Sequence, residues 1–260
     1  MPWRHPVAAA IIGALTLCLA PSEGRAQTGT PTAGRSGWTF TLTPYAWMAG
    51  LKGDVGTLSG LPPAEVDVSF GDIIQSTEIA AMLAGEARRG RWGLLLDLVY
   101  LDLSEDAEGP EPFFGGAELQ STTLFATLSG AYRVLEKERV ALDVLAGMRP
   151  WYLDTKLELS AGLLAARSTS DTEVWVDPLV GARVSFALGG GFSVTGVADV
   201  GGFGVGSDIS WQAFATLNYR LRDWLWLRAG YRHFEVDYED GGFVYDVQMS
   251  GPIIGAGLRF

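Results

Sequence analysis

The chain has 260 residues and carries 19 Lys+Arg against 30 Asp+Glu, a formal net charge of −11. That balance repels nucleic acid and excludes it as a partner. Hydrophobic residues make up 48% and charged residues only 19%, yet beyond the first two dozen positions no apolar run approaches the length of a helical membrane span, so alternating strands are the form in which such a composition meets a membrane.

Residues 1–26 read as a secretory signal peptide: Arg4 supplies the positive start, Val7 to Ala20 the apolar stretch, and Gly24-Arg25-Ala26 a small-x-small cleavage site. The apolar stretch is too short for a spanning helix and is broken by Gly13 and Thr16. Cys18, the only cysteine, follows Leu17 rather than a small residue, so lipidation is not expected, and cleavage would leave no thiol for a disulfide, a nucleophile or a metal. Residues 27–37, rich in Thr, Gly, Ser and Pro, read as a flexible periplasmic lead. The remainder, 38–260, reads as one barrel domain.

Ten strands are expected, at 38–49, 77–88, 92–104, 117–134, 140–157, 172–188, 192–205, 209–221, 225–236 and 243–260, with eight or twelve as the alternative counts. No stretch longer than a turn shows clean helical spacing, and 34 glycines oppose long helices. The connections alternate in length. Tight ones at 89–91, 135–139, 189–191 and 222–224 separate longer ones at 50–76, 105–116, 158–171 and 237–242; the link at 206–208 breaks the rule by being short. In the first long link Val66, Val68 and Phe70 alternate with Asp67 and Ser69, which suggests a strand extended above the membrane in preference to an inward plug, and a further strand pair there would raise the count to twelve. Short turns on one side and long loops on the other describe an up-and-down antiparallel transmembrane β-barrel with the turns in the periplasm.

Within the strands polar residues keep to one face. Leu142, Val144, Ala146 and Met148 oppose Asp143, Gly147 and Arg149, and Val174, Val176, Val180 and Val184 oppose Asp177, Gly181 and Arg183. Aromatic residues decide which face meets lipid. Trp38, Trp92, Tyr132, Phe186, Phe192, Tyr219 and Phe260 fall near the turns, whereas Tyr100, Tyr152 and Trp211 fall toward the loops, as two girdles would. The final strand ends on the aromatic Phe260, as in bacterial outer-membrane barrels, and would present that end to the barrel-assembly machinery. Lipid and lipopolysaccharide of the outer membrane are the other expected partners.

The stretches Thr43-Pro44-Tyr45-Ala46-Trp47, Val66-Asp67-Val68-Ser69-Phe70-Gly71-Asp72 and Glu86-Ala87-Arg88-Arg89-Gly90-Arg91-Trp92-Gly93-Leu94-Leu95-Leu96-Asp97 resemble a widespread group of small, porin-like bacterial outer-membrane β-barrel proteins. The resemblance is clearest over residues 40–105. It implies fold and compartment, namely the outer membrane after secretion across the inner one, and implies no enzymatic activity or ligand.

The inward parity collects Glu86, Arg88, Asp97, Asp143, Arg149, Asp177, Arg183, Asp199, Arg228 and Arg232. A barrel of ten strands is barely wider than its own side chains, so these form either a network of ion pairs filling the lumen or a narrow aqueous path biased by rings of charge. Lumen-facing Tyr45, Trp47, Trp151, Trp175 and Phe214 favour the filled form. No enzyme and no cofactor is expected. His233, the one histidine beyond the signal, is directed toward lipid near the outer rim, where Glu235 and Asp237 share its face; a barrel enzyme acting on lipid would depend on it. Glu105, Asp106, Glu108, Glu111, Asp237, Glu239, Asp240 and Asp246 make the loop side acidic, which suits solvation, divalent cations among lipopolysaccharide phosphates, or a loop-mediated binding or adhesion role. The reading is therefore a non-enzymatic barrel of envelope-structural or small-solute-channel type.

Overall fold

The computed structural model describes residues 37–56, 63–107 and 113–260. The expected signal peptide, almost all of the periplasmic lead, and Glu108 and Glu111 lie outside them. Twelve strands and one helix follow in chain order: β1 (Thr39–Trp47), β2 (Gly50–Gly56), β3 (Ala64–Val68), α1 (Phe70–Ser76), β4 (Thr77–Arg89), β5 (Trp92–Ala107), β6 (Phe114–Glu136), β7 (Val140–Ala161), β8 (Arg167–Gly189), β9 (Phe192–Gly202), β10 (Ile209–Arg222), β11 (Leu225–Asp240) and β12 (Phe243–Arg259).

Ten of these strands, β1 and β4 to β12, pair antiparallel with their neighbours in the chain, and β1 closes on β12 through Thr41↔Arg259, Tyr45↔Gly255 and Trp47↔Ile253. The result is a closed up-and-down barrel, which leaves no sheet edge unpaired around its circumference. β12 is long enough to hold β1 along its turn-side half and β2 along its loop-side half, so β2 continues β1 after a step at Met48-Ala49. The step needs Gly251 opposite it, because a Cβ there would run into the Met48 carbonyl. β3 then pairs back on β2 as a hairpin above the barrel.

The segment after β3 departs from the sequence reading, which gave it no helix. Ser69 caps α1: its hydroxyl accepts from the Asp72 N–H at 3.3 Å, and the Asp72 carboxylate accepts from the Ser69 N–H at 3.1 Å. This reciprocal pair satisfies two backbone donors at the helix start. α1 is too short for its hydrophobic spacing to register.

Strands also run further toward the loops than expected. β7 reaches Ala161 and β8 starts at Arg167, so that their hairpin is paired from Val140↔Phe186 up to Leu159↔Arg167. Asp237, Glu239 and Asp240, expected in a loop, belong to β11. Backbone pairing does not stop at the hydrocarbon edge, because antiparallel ladders stabilise themselves in water as well. The ladder is interrupted in several places, one of them at a proline. β6 and β7 pair at Phe125↔Trp151 and again at Leu128↔Met148, and between them Pro150 has no N–H to donate.

Strand parity sorts the side chains. Leu94, Val144, Met148, Val174, Val180 and Val184 are exposed on the outer wall, and Trp92 (67% exposed) packs on Tyr132 and Phe192 on Tyr219 beside the turns. So much exposed apolar surface, bounded by aromatic pairs, is the exterior of a membrane-spanning barrel. The interior has two tiers. On the loop side Trp47, Phe125, Trp151, Trp175, Phe234, Tyr238, Phe243 and Tyr245 form an apolar core. Ring contacts cross the lumen from Phe125 to Trp151 (4.4 Å) to Trp175 (5.2 Å) to Tyr238 (3.9 Å), joining the β6–β8 wall to β11. The turn-side tier is polar.

Candidate functional site

The turn-side tier encloses a cavity of about 430 Å³. Its wall is built by alternate residues of the strands: Thr39, Thr41, Thr43 and Tyr45 from β1, Glu86 and Arg88 from β4, Asp97 from β5, Arg133 from β6, Arg183 from β8, Asp199 from β9, Gln212, Phe214 and Asn218 from β10, Arg228 and Arg232 from β11, and Arg259 from β12. A glycine gives one of the cations room: a Cβ at Gly93 would come 3.1 Å from an Arg88 nitrogen.

Three clusters share out the charge. Nearest the turns, Asp143 accepts from Arg88 (2.9 Å), Arg133 (2.6 Å) and Arg183 (2.6 Å), while Glu86 accepts from Arg88 (2.7 Å) and Arg183 (2.9 Å). Deeper, Arg232 pairs with Asp97 at 2.8 Å and donates to the Tyr45 hydroxyl at 3.0 Å, and that hydroxyl donates to Asp97 at 2.6 Å. Beside it Arg149 pairs with Asp199 at 2.6 Å and donates to Thr127 and Ser210, and Gln212 donates to the second oxygen of Asp199 at 2.6 Å.

Arg149 and Arg232 also form the boundary between the tiers. The guanidinium of Arg149 lies 4.7 Å from the Phe234 ring and that of Arg232 4.7 Å from the Trp47 ring, so each cation rests on the aromatic core while its carboxylate partner faces the cavity side. Cation–π contact is most favourable in such water-poor surroundings.

Two of the ten expected network residues take no part in ion pairing. Asp177 is fully buried, and although it stands opposite Arg149 in register, it accepts instead from the Ser207 N–H at 2.7 Å. It thereby holds the turn at 203–208, where Phe203 has a positive φ of 54°. Arg228 is the second. Among the described residues it forms no ion pair, and its buried Nε has no hydrogen-bond partner. Arg133, Tyr45 and Gln212 belong to the network and were absent from the sequence-based set; their inward parity was visible, whereas their partners required the register.

Cations prevail at this wall. Six arginines and three carboxylates line the cavity, with Asp143 behind them, in a protein whose net charge is −11.

His233 lies on the opposite, outer face of β11. Its Nδ1 is 2.6 Å from Ser250 Oγ and its Nε2 2.9 Å from Glu235 Oε1. Asp237, the other carboxylate expected beside it, has Asp208, Glu239 and Asp246 as its charged neighbours. Among the described residues no group of three or more His, Cys, Asp or Glu is placed to hold a metal ion.

No family model matches the chain, and no curated protein does. Solved structures to which it is similar include the translocator domain of the autotransporter NalP from Neisseria meningitidis, at 13% identity over 87% of this chain and 90% of that one, with a TM-score of 0.44. A major outer membrane protein from Thermus thermophilus aligns at 12% identity over 86% of this chain and 100% of its own, with a TM-score of 0.41. Ail, the attachment invasion locus protein of Yersinia pestis, aligns at 13% identity over 86% and 99%, with a TM-score of 0.32. These neighbours are outer-membrane β-barrel proteins; the closed barrel described above rests on its own strand pairing.

Proposed function

We propose that the protein is an outer-membrane barrel of small-solute-channel type, in which the turn-side vestibule takes up small anions and the aromatic tier is the closed gate. The observation that carries this reading is the surplus of arginine at the vestibule wall, above all Arg228, which forms no ion pair among the described residues and whose buried Nε has no hydrogen-bond partner. Rings of Arg or Lys bias a pore toward anions, and a preformed charged cleft concentrates its counter-ion. The lumen network itself is non-enzymatic in this reading.

Reconstitution into planar bilayers under a KCl gradient tests it. Opening events should show a reversal potential on the anion-selective side, and Arg228→Glu should move it toward cation selectivity. Conductance that prefers cations in the wild type would overturn the anion reading, and none above leak under any condition would overturn the channel itself and leave an envelope-structural barrel. The long loop-side strands also support a binding or adhesion role, which predicts no conductance in any variant.

A further inference from the structure

The outer wall of β10, β11 and β12 carries a set of polar side chains that the lumen does not use. His233 stands opposite Ser250, and Trp211 stands opposite Glu235, all four on the outer face. The imidazole bridges Ser250 Oγ (2.6 Å) and Glu235 Oε1 (2.9 Å). Trp211 Nε1 donates to the other Glu235 oxygen at 2.7 Å, and the indole packs against the imidazole with centroids 4.7 Å apart.

A carboxylate only accepts hydrogen bonds, so Glu235 holds the imidazole proton on Nε2 and leaves the Nδ1 lone pair toward the Ser250 hydroxyl. A hydroxyl in contact with a base that a carboxylate orients is the arrangement that activates a serine nucleophile. Trp211 fixes the carboxylate in turn. Gln248 stands opposite Glu235 in register, two residues from Ser250 on the same face, and is the amide of that face within one strand repeat of the hydroxyl.

The height of this group selects the substrate. Trp211 is eight residues from Tyr219 along β10, about 20 Å of barrel height at ordinary strand rise and tilt, which places it near the upper edge of an apolar band about 25 Å tall. At that level the acyl chains of membrane lipids join their head groups. A group on the outer wall is reached sideways from the bilayer and not through the lumen.

We propose that Ser250, His233 and Glu235 form a lipid-facing acyl-ester hydrolase site. Ser250 Oγ bonds to the ester carbonyl carbon as its proton passes to His233 Nδ1, and the negative charge on the carbonyl oxygen is met by the Gln248 amide. The ester C–O bond then breaks, and the alcohol leaves with the proton from His233. Water attacks the acyl-serine, giving its proton to His233, which returns one to Ser250 as the carboxylic acid departs.

The test uses the full-length protein folded in detergent micelles, a fluorophosphonate probe, a p-nitrophenyl acyl ester, and mixed micelles of diacyl phosphatidylethanolamine. Wild type should be labelled at Ser250 and should release fatty acid. Ser250→Ala should lose both activities, His233→Ala should slow release by at least roughly 10²-fold, and Glu235→Gln should lower kcat and alter its pH profile. Each variant must retain the heat-modifiable electrophoretic mobility of a folded barrel. Folded wild type that is unlabelled and releases fatty acid no faster than Ser250→Ala would overturn the proposal, as would labelling at any other serine.

Discussion

Asp143 is the carboxylate on which the guanidiniums of Arg88, Arg133 and Arg183 converge, and its side chain is only 2% exposed. Removing its charge takes the shared partner from three cations, of which Arg88 and Arg183 keep Glu86 and Arg133 keeps only the exposed Glu136, so Asp143→Asn should cost about 3 kcal/mol of unfolding free energy, measured by denaturant titration in detergent. Arg228 makes the opposite case. A largely buried cation without an ion-pair partner among the described residues opposes folding, and Arg228→Met should therefore leave stability unchanged or raise it by about 1 kcal/mol in the same titration, while anion preference falls. Opposite effects on stability and selectivity at one position would mark a residue kept for its ligand. Inward and outward positions of such residues could be read from the sequence, because a strand repeats every two residues. Their partners could not. Nothing in the spacing of His233 and Ser250, 17 apart, says that they face each other, since that depends on where the β11–β12 turn sets the register.

Among the elements, α1 is the one the alternating pattern concealed. Its seven residues stand outside the barrel, and its start depends on the exchange of hydrogen bonds between Ser69 and Asp72. Those bonds hold the Asp72 carboxyl below its ordinary value. A depressed folded-state pKa gives stability that is present above the unfolded pKa and is lost as pH falls through the folded one. Amide protection factors across 70–76 should therefore be constant near neutrality and drop in acid below the ordinary carboxyl range, and Ser69→Ala should produce the same drop at neutral pH. Protection that is insensitive to both changes would mean that the helix is held by other contacts. The extra length of β7 and β8 was hidden for a related reason: above the membrane both faces meet water, so the polar–apolar alternation that marks a strand fades although the backbone remains paired.

At the scale of the whole molecule, sequence parity divides inside from outside but says nothing of height, and height is what separates the arginine tier from the aromatic one. Aligning the strands by their turns brings Trp151 and Phe234 to one level and Arg183 and Arg228 to another. Trp151 is 1% exposed and stacks on two neighbours, so Trp151→Ala should cost about 3–5 kcal/mol. On the proposed channel reading, Trp151→Ala combined with Phe234→Ala should also raise single-channel conductance well above wild type, because it cuts ring contacts that cross the lumen; an unchanged conductance would move the proposed gate elsewhere. The uneven distribution of charge has one more effect. Arginines crowd one mouth of the barrel, and carboxylates such as Asp237, Glu239 and Asp246 stand at the other, so the molecule carries a permanent electric moment along its axis. On the channel reading proposed above, a barrel polarised in this way should rectify: currents at equal voltages of opposite sign should differ, and the sense of the asymmetry should report which way round each barrel entered the bilayer.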